Sequence, residues 1–416
     1  MEDKTDGILS PYRVLDLADE KGLLCGKILG DLGADVIKIE RPGGDVARNT
    51  GPFYLDEPDP EKSLSWFAFN TSKRGVTLNI ETADGREIFR GLVKTADFVI
   101  ETFPPGYLDK LGLGYADLEK INPGVILVSI TPFGQTGPYK DWKTSDIVAW
   151  AMGGDMAGFG DADRPPIRVS HHSHAYMDAG ADGAMGALTA LFHRWSIGEG
   201  QQVDVSVQEA VAQNNPHLPN GWDLRKTLSK RGQEIRPGTN HRSTRMWTCK
   251  DGYVSWSHGG ASRVSPSLPL IKWMENEGVT SDFLKEFDWS RPDFTMISQE
   301  EMDQIEEPTA RFFMSHTKAE LLDGAVKNKV MLYPVSTTAD LLENVQLAAR
   351  EFWQEVKHPE LGTTITYPGP FAFIPEVHPR ISRRAPLIGE HNQEVYEEEL
   401  GISREKLVMF KQAGVI

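Results

Sequence analysis

The chain has 416 residues, 60 acidic against 44 basic side chains, and a formal net charge of -16. At this length a single core stops growing, so two domains are expected, and the acidic balance argues against nucleic acid or an anionic membrane as main partner, since binding phosphate needs a basic surface. No run of about 18 apolar residues occurs, MEDKTDGILSPY lacks the regions of a signal peptide, and Cys25 and Cys249 support neither a disulfide framework nor a cysteine zinc site, which together predict a cytoplasmic protein.

Residues 13–40 read as strand (RVLDLA), helix (EKGLLCGKILGDLGA) and strand (DVIKIE), a βαβ unit with parallel strands. The loop ERPGGDVARN follows at the carboxyl end of the second strand, where open α/β sheets bind ligands. Arg41 opens this loop, either as a solvated side chain or as a ligand contact. GVTLNI (75–80) is a further strand, TADGREIFRGLVKTA an amphipathic helix and DFVIET (97–102) a strand. FPPGYLDKLGLGYADLEKINPG then gives a turn and a helix, and VILVSITPFG (125–134) another apolar strand. Repeated βα units predict a doubly wound α/β sheet. Neither G-x-G-x-x-G nor G-x-x-x-x-G-K-[ST] opens any of these helices, so dinucleotide and P-loop sites are not indicated.

From residue 136 the chain is rich in Gly, Pro and Asp, yet SDIVAWAM within it reads as a helix walling a site. Asp146 is placed to cap that helix, and Lys140 and Lys143 stand just before it. In the stretch from 166 to 207, Gly180, Gly183 and Gly186 put small residues along one side of a helix, where a neighbour can approach closely. Met185, Leu188, Leu191 and Phe192 are expected to face the core. Before this helix lie His171, His172, His174, Tyr176 and Asp178, a polar cluster at a helix start that favours anions. A metal site would need further ligands, so the histidines read as polar packing or as contacts to a substrate carboxylate. Asp178 and Asp182, one turn apart, read as capping and first-turn residues or as paired carboxylates. Ser170 and Ser173 make no hydrolase triad, because G-x-S-x-G is missing from the chain.

Residues 1–213 therefore read as an N-terminal α/β domain. The polar, basic stretch 214–245 reads as a linker, and 246–325, with strands in MWTCKDGYVSWS and the loop HGGAS (258–262), as a small mixed α/β domain. Residues 326–416 carry a strand (VMLYPVST), a helix (NVQLAAREFWQEV), strand material (GTTITYPGPFAFI) and two final helices.

Several of these pieces resemble one family, the class III coenzyme A transferases of the formyl-CoA transferase and carnitine CoA-transferase type. The stretches are VLDLADEKGLLCGKILGDLGADVIKIERPGGD, FNTSKRGVTLNI, FVIETFPPGYLDKLGLGYADLEKINPGVILVSITPFGQTGPY, ALTALFHRWSIGEGQQVDVSV, PVSTTADLLENVQLAAREFW and APLIGEHN, in the family's order. The resemblance implies a Rossmann-like large domain built from both chain ends, a small inserted domain, and an interlocked dimer of ring-shaped subunits. It implies coenzyme A or an acyl-CoA as substrate and no metal. By position, Arg41, Thr102, Phe103, Lys110 and Lys143 match coenzyme A contacts, cations suiting phosphate and a ring suiting adenine or pantetheine. HGGAS resembles the family's glycine-rich loop over the reacting thioester, while the usual AGP after the first strand is altered at Lys21 and Gly22.

Family transferases attack the donor thioester with an aspartate, four residues before the first glycine of the helix and eighteen before the arginine of A-L-x-H-R. Counting back from Gly180 or from Arg194 reaches Tyr176, a phenol largely protonated at neutral pH. Asp178 would serve only if the helix start shifted by two residues. The histidine of the racemase branch is replaced by Ser145. Three functions follow from the resemblance. The first is the non-nucleophilic subunit of a heteromer with a homologous aspartate-bearing subunit, acting on an aromatic or dicarboxylic acid such as benzylsuccinate. The others are an active homodimer using Asp178 and a non-catalytic CoA-binding or scaffold subunit.

Overall fold

The computed structural model describes residues 7–160, 163–170, 172–226, 228, 241–258, 267–289 and 297–416. The chain divides into two compact units, the larger from the described residues of Met1–Ala157, Ile167–Leu228 and Ala348–Ile416, the smaller from those of Gly158–Pro166 and Ser229–Leu347.

The larger unit is built on β1 (Arg13–Asp16), α1 (Leu23–Asp31), β2 (Asp35–Glu40), α2 (Leu64–Asn70), β3 (Lys73–Thr77), α3 (Ala83–Val93), β4 (Phe98–Glu101), α4 (Tyr107–Lys110), α5 (Tyr115–Ile121), β5 (Ile126–Thr131), α6 (Asp146–Met152), α7 (His174–Ile197), β6 (Gln202–Ser206), α8 (Val207–Gln213) and α9 (His217–Arg225). Six parallel strands lie in the order β3-β2-β1-β4-β5-β6, so the strand order reverses between β1 and β4. This is the doubly wound α/β sheet expected from the alternating pattern, Rossmann-like as the resemblance implies, and it places a crevice at the carboxyl ends of β1 and β4. The central strands β4 and β5 are buried on both faces, which is why they read as continuous apolar runs, whereas the edge strand β6 is partly exposed. Val14, Ile100, Val128 and Ile130 pack under α1, α7 and α8, while Leu15, Ile37, Val99 and Leu127 pack with α3 and α5.

The chain's end completes this unit. β10 (Trp353–His358) and β11 (Thr363–Pro368) form an antiparallel hairpin, which follows in the chain α14 (Thr338–Leu342) of the smaller unit and α15 (Val345–Ala349), and a π-helical turn at Gln393–Glu399 precedes α16 (Arg404–Gln412). Arg74 on β3 joins Asp35 to Glu394 and Glu399, and the Tyr396 hydroxyl donates to the Thr77 carbonyl at 2.9 Å. Buried Arg48 grips Glu40 at 2.6 and 2.8 Å, donates to the Pro386 carbonyl at 2.8 Å and lies 4.0 Å over the Trp66 ring.

In the smaller unit, β7 (Met246–Cys249), β8 (Gly252–Ser255) and β9 (Tyr333–Pro334) form an antiparallel sheet. It packs with α10 (Leu268–Asn276), α11 (Asp282–Glu286), α12 (Gln299–Met314) and α13 (Lys318–Asn328) around Trp247, Trp256, Phe312 and Phe313. Among the described residues no helix is long and apolar enough to cross a membrane.

The glycine spacing of α7 is used as expected. A Cβ on Gly180 would stand 2.9 Å from that of Leu24, one on Gly183 2.8 Å from Ile130 Cδ1, and one on Gly186 2.6 Å from Val203 Cγ1. Other expectations fail. Met185 and Phe192 are 62% and 68% exposed, because α7 turns its small residues to the sheet and its large ones outward, while Leu191 is buried. Asp178 is not a first-turn residue, since the helix begins at His174. NVQLAAREFWQEV splits: the helix stops at Ala349, and Trp353–His358 pairs as a strand with Thr363–Pro368. The stretch after 214 contains α9 before leaving the described residues.

Candidate active site

Two cavities of the larger unit lie around the turn that follows β1. That turn is tied down from several sides. The Asp19 N–H donates to Thr102 Oγ1 at 2.9 Å, the Thr102 hydroxyl donates to Asp19 Oδ1 at 2.8 Å, and the Lys21 ammonium pairs with Asp19. Beneath it, the buried Lys73 ammonium spends three donors on Asp16 Oδ2, the Leu23 carbonyl and Asn70 Oδ1 at 2.8, 2.9 and 3.0 Å.

The first cavity, about 460 Å³, opens at the strand-order reversal and is lined by Arg41, Thr102 and Phe103 together with Asp19, Asn79 and Tyr107. Arg41 is exposed on the loop after β2, as its sequence position predicts, with Nε 3.4 Å from the Gly44 carbonyl. Phe103 stacks on Tyr107 at 4.7 Å, offering a flat apolar surface beside that cation. Lys110, at the end of α4, and Lys143, before α6, are exposed and are not among the residues lining this cavity. Behind it, buried Glu101 accepts the Phe103 N–H at 2.6 Å, and burial pushes its carboxyl up to about 7.

The second cavity, about 130 Å³, is lined by residues of α1, α2 and α7, including Leu24, Trp66, Phe69, Tyr176 and Met177, with Glu20 and His172. Tyr176 is 5% exposed. Its phenol is held well above the ordinary tyrosine range by burial and by the carboxylates of Glu20, Asp146 and Asp19. Partial burial and the same acidic surroundings raise Glu20 in turn, although part of its side chain is open to solvent. A phenolate in this setting meets like charge on several sides, the opposite of what activates a nucleophile.

Asp146 does not cap its own helix, whose N-cap Ser145 makes no side-chain bond. Its Oδ1 instead accepts the Ala175 N–H at 2.9 Å and so caps α7 beside Tyr176. Asp178 is not among the residues lining the Tyr176 cavity; its Oδ2 accepts from Asn214 Nδ2 at 2.9 Å. The 3.6-residue period explains this, because two residues along a helix turn a side chain through about 200°. His172 is exposed and lines the cavity, His174 opens α7, and His171 lies outside the described residues. Of HGGAS only His258 is described. It is buried, 3.2 Å from Ser267 Oγ, and burial pushes it down to about 3. Among the described residues no three His, Cys, Asp or Glu side chains gather as metal ligands would.

The sequence reading missed Glu20, Trp66 and Phe69. The signals were there: Glu20 stands in a turn at a strand's carboxyl end, and Trp66 and Phe69 are three apart, on one face of a helix.

Comparison with known proteins fits this arrangement. A CAIB/BAIF family protein from Brucella suis superposes with a TM-score of 0.80 at 27% identity, covering 94% of this chain and 99% of that one. The chain is 38% identical over 393 residues to the succinyl-CoA:(R)-benzylsuccinate CoA-transferase subunit BbsE of Thauera aromatica, covering 94% of this chain and 93% of that one. It is 31% identical to a formyl-CoA:oxalate CoA-transferase of Streptomyces avermitilis, covering 98% and 99%. The family described as CoA-transferase family III matches residues 9–392, nearly the whole of both units, and the protein is thus an enzyme chain that belongs to CoA-transferase family III.

Proposed function

We propose that this chain is the non-nucleophilic subunit of a heteromeric class III acyl-CoA:carboxylate CoA-transferase, assembled with a homologous subunit that carries the aspartate. One observation carries the reading. Tyr176, where the family's aspartate is expected, is a buried phenol among carboxylates and is held protonated. In this reading the subunits interlock as a dimer, coenzyme A lies in the cleft of Arg41, Thr102 and Phe103 with Lys110 and Lys143 reaching its phosphates, and the acceptor is an aromatic or dicarboxylic acid such as benzylsuccinate. The similarity to a transferase subunit supports it. So do Met185, Phe192 and Trp195, large apolar side chains exposed along α7 that an assembly would cover.

The test is to incubate the chain with an acyl-CoA, alone and co-expressed with an aspartate-bearing homologue, then treat with hydroxylamine and map adducts by mass spectrometry. An adduct confined to the partner's aspartate is expected. An adduct on Asp178 with turnover by a homodimer would replace this reading with the homodimeric one, and coenzyme A binding without turnover in any pairing would replace it with a scaffold role.

A further inference from the structure

Acidic groups dominate the cleft onto which Arg41 opens. Among the described residues its lining carries four carboxylates, those of Asp19, Glu40, Asp45 and Glu81, against one basic side chain, that of Arg41. Three of the four face a cation. Lys21 pairs with Asp19, Arg48 holds Glu40 at 2.6 Å, and the Lys38 ammonium lies 3.9 Å from Asp45. Glu81 differs. Its carboxylate accepts from the Tyr107 hydroxyl at 2.9 Å, and the Arg86 guanidinium donates to the Glu81 backbone carbonyl at 2.7 Å instead of pairing with the carboxylate.

The bond to Tyr107 fixes where this charge stands. Tyr107 stacks on Phe103 with ring centroids 4.7 Å apart, and burial together with Glu81 pushes its phenol up to about 12, so at neutral pH it remains a donor to the carboxylate. An exposed negative charge is thereby tethered to the aromatic surface of the cleft. Helix α3 does not need it as a cap. Thr82 caps that helix, its hydroxyl oxygen accepting the Gly85 N–H at 3.0 Å. A ligand bearing phosphates on this surface meets like charge within the distance over which salt screens incompletely.

We propose that Glu81 is a specificity-determining residue of this cleft, a fixed negative charge that weakens the binding of phosphate-bearing ligands and makes the coenzyme A site of this chain a low-affinity one. The inference rests on the reading that the chain binds coenzyme A in the Arg41 cleft, and it gives that cleft a graded response to the number of phosphates on the ligand. Arg41 attracts the phosphates and Glu81 opposes it.

Calorimetric titration of the assembled protein, altered in this chain alone, with coenzyme A and with 3′-dephospho-coenzyme A tests this. Glu81→Gln keeps an acceptor for Tyr107 and removes the charge, and Glu81→Lys reverses the charge. At about 20 mM salt the first is expected to tighten coenzyme A about threefold and the second about tenfold. The gain should be smaller for the dephospho ligand, which has one phosphate fewer, and should shrink to within about twofold at about 0.5 M salt. Unchanged or weaker coenzyme A binding by both variants, a gain of equal size for the two ligands, or a gain that salt does not reduce would overturn the inference while leaving coenzyme A binding intact. Failure of the parent and of both variants to bind coenzyme A would overturn the coenzyme A reading itself, and this inference with it.

Discussion

Asp146 Oδ1 accepts the backbone N–H of Ala175 at 2.9 Å, so a carboxylate from one helix caps another and fixes the residue next to Tyr176. Its second oxygen is buried without a hydrogen bond, 3.8 Å from Arg168. Asp146→Ala removes the cap and should lower stability by about 1–2 kcal/mol, whereas Asp146→Asn keeps an acceptor for Ala175 and should cost less. Urea denaturation of both variants checks this; equal losses would mean that the lost charge matters more than the cap.

Arg48 and Glu40 are both buried and bidentate. Arg48→Met would leave Glu40 with the Asp45 N–H alone, and would remove the contacts to Glu61 and Pro386. Breaking a buried pair from one side typically costs about 3–5 kcal/mol, so the variant should unfold at much lower denaturant than the parent. A loss below about 1 kcal/mol would show that water reaches Glu40 easily.

Glu101 sets a pH dependence with a defined sign. Its folded carboxyl titrates at about 7 against an ordinary 4.5, so between these values the folded chain holds a proton that the unfolded chain has lost. Stability contributed by this group therefore falls as pH rises from about 4.5 to 7, by roughly 1.4 kcal/mol per unit and of the order of 3 kcal/mol in all. Glu101→Gln retains an acceptor for the Phe103 N–H and should flatten that fall when urea midpoints are compared at pH 5, 6 and 7.5. A variant with the parent's slope would assign the dependence to other groups.

The glycines of α7 should not be interchangeable with alanine. Gly183→Ala places a methyl 2.8 Å from Ile130 Cδ1 and 3.3 Å from Cys25 Sγ, and overpacking of this kind costs about 1–3 kcal/mol. Gly221→Ala in α9 has nothing within 4 Å and should be neutral or stabilise by up to about 1 kcal/mol. Thermal melts of the two variants test whether close approach, rather than helix propensity alone, sets the outcome.

If the partner supplies the nucleophile, Tyr176→Phe should leave transferase turnover of the co-expressed assembly within about twofold of the parent, because a phenol that stays protonated takes no part as an attacking group. A drop of about a hundredfold in kcat would identify the hydroxyl as part of the chemistry.

The alternation of apolar strands with capped helices was enough to read a parallel α/β sheet, because strands buried on both faces and helices with one apolar side leave unmistakable periods. The GxxGxxG spacing of α7 announced close packing for the same reason: a missing Cβ has meaning only where something approaches. Tyr176 at the aspartate position was likewise legible by counting. The sequence did not tell which way α7 faces, since Met185 and Phe192 have the same period as buried residues and only packing against α1 and the sheet put the glycines inward. Nor did it show that Asp146, 29 positions away, caps the helix before Tyr176, or that Glu20 and Asp19 surround the phenol with charge. Those relations join residues distant in the chain, and the folded backbone alone brings them together.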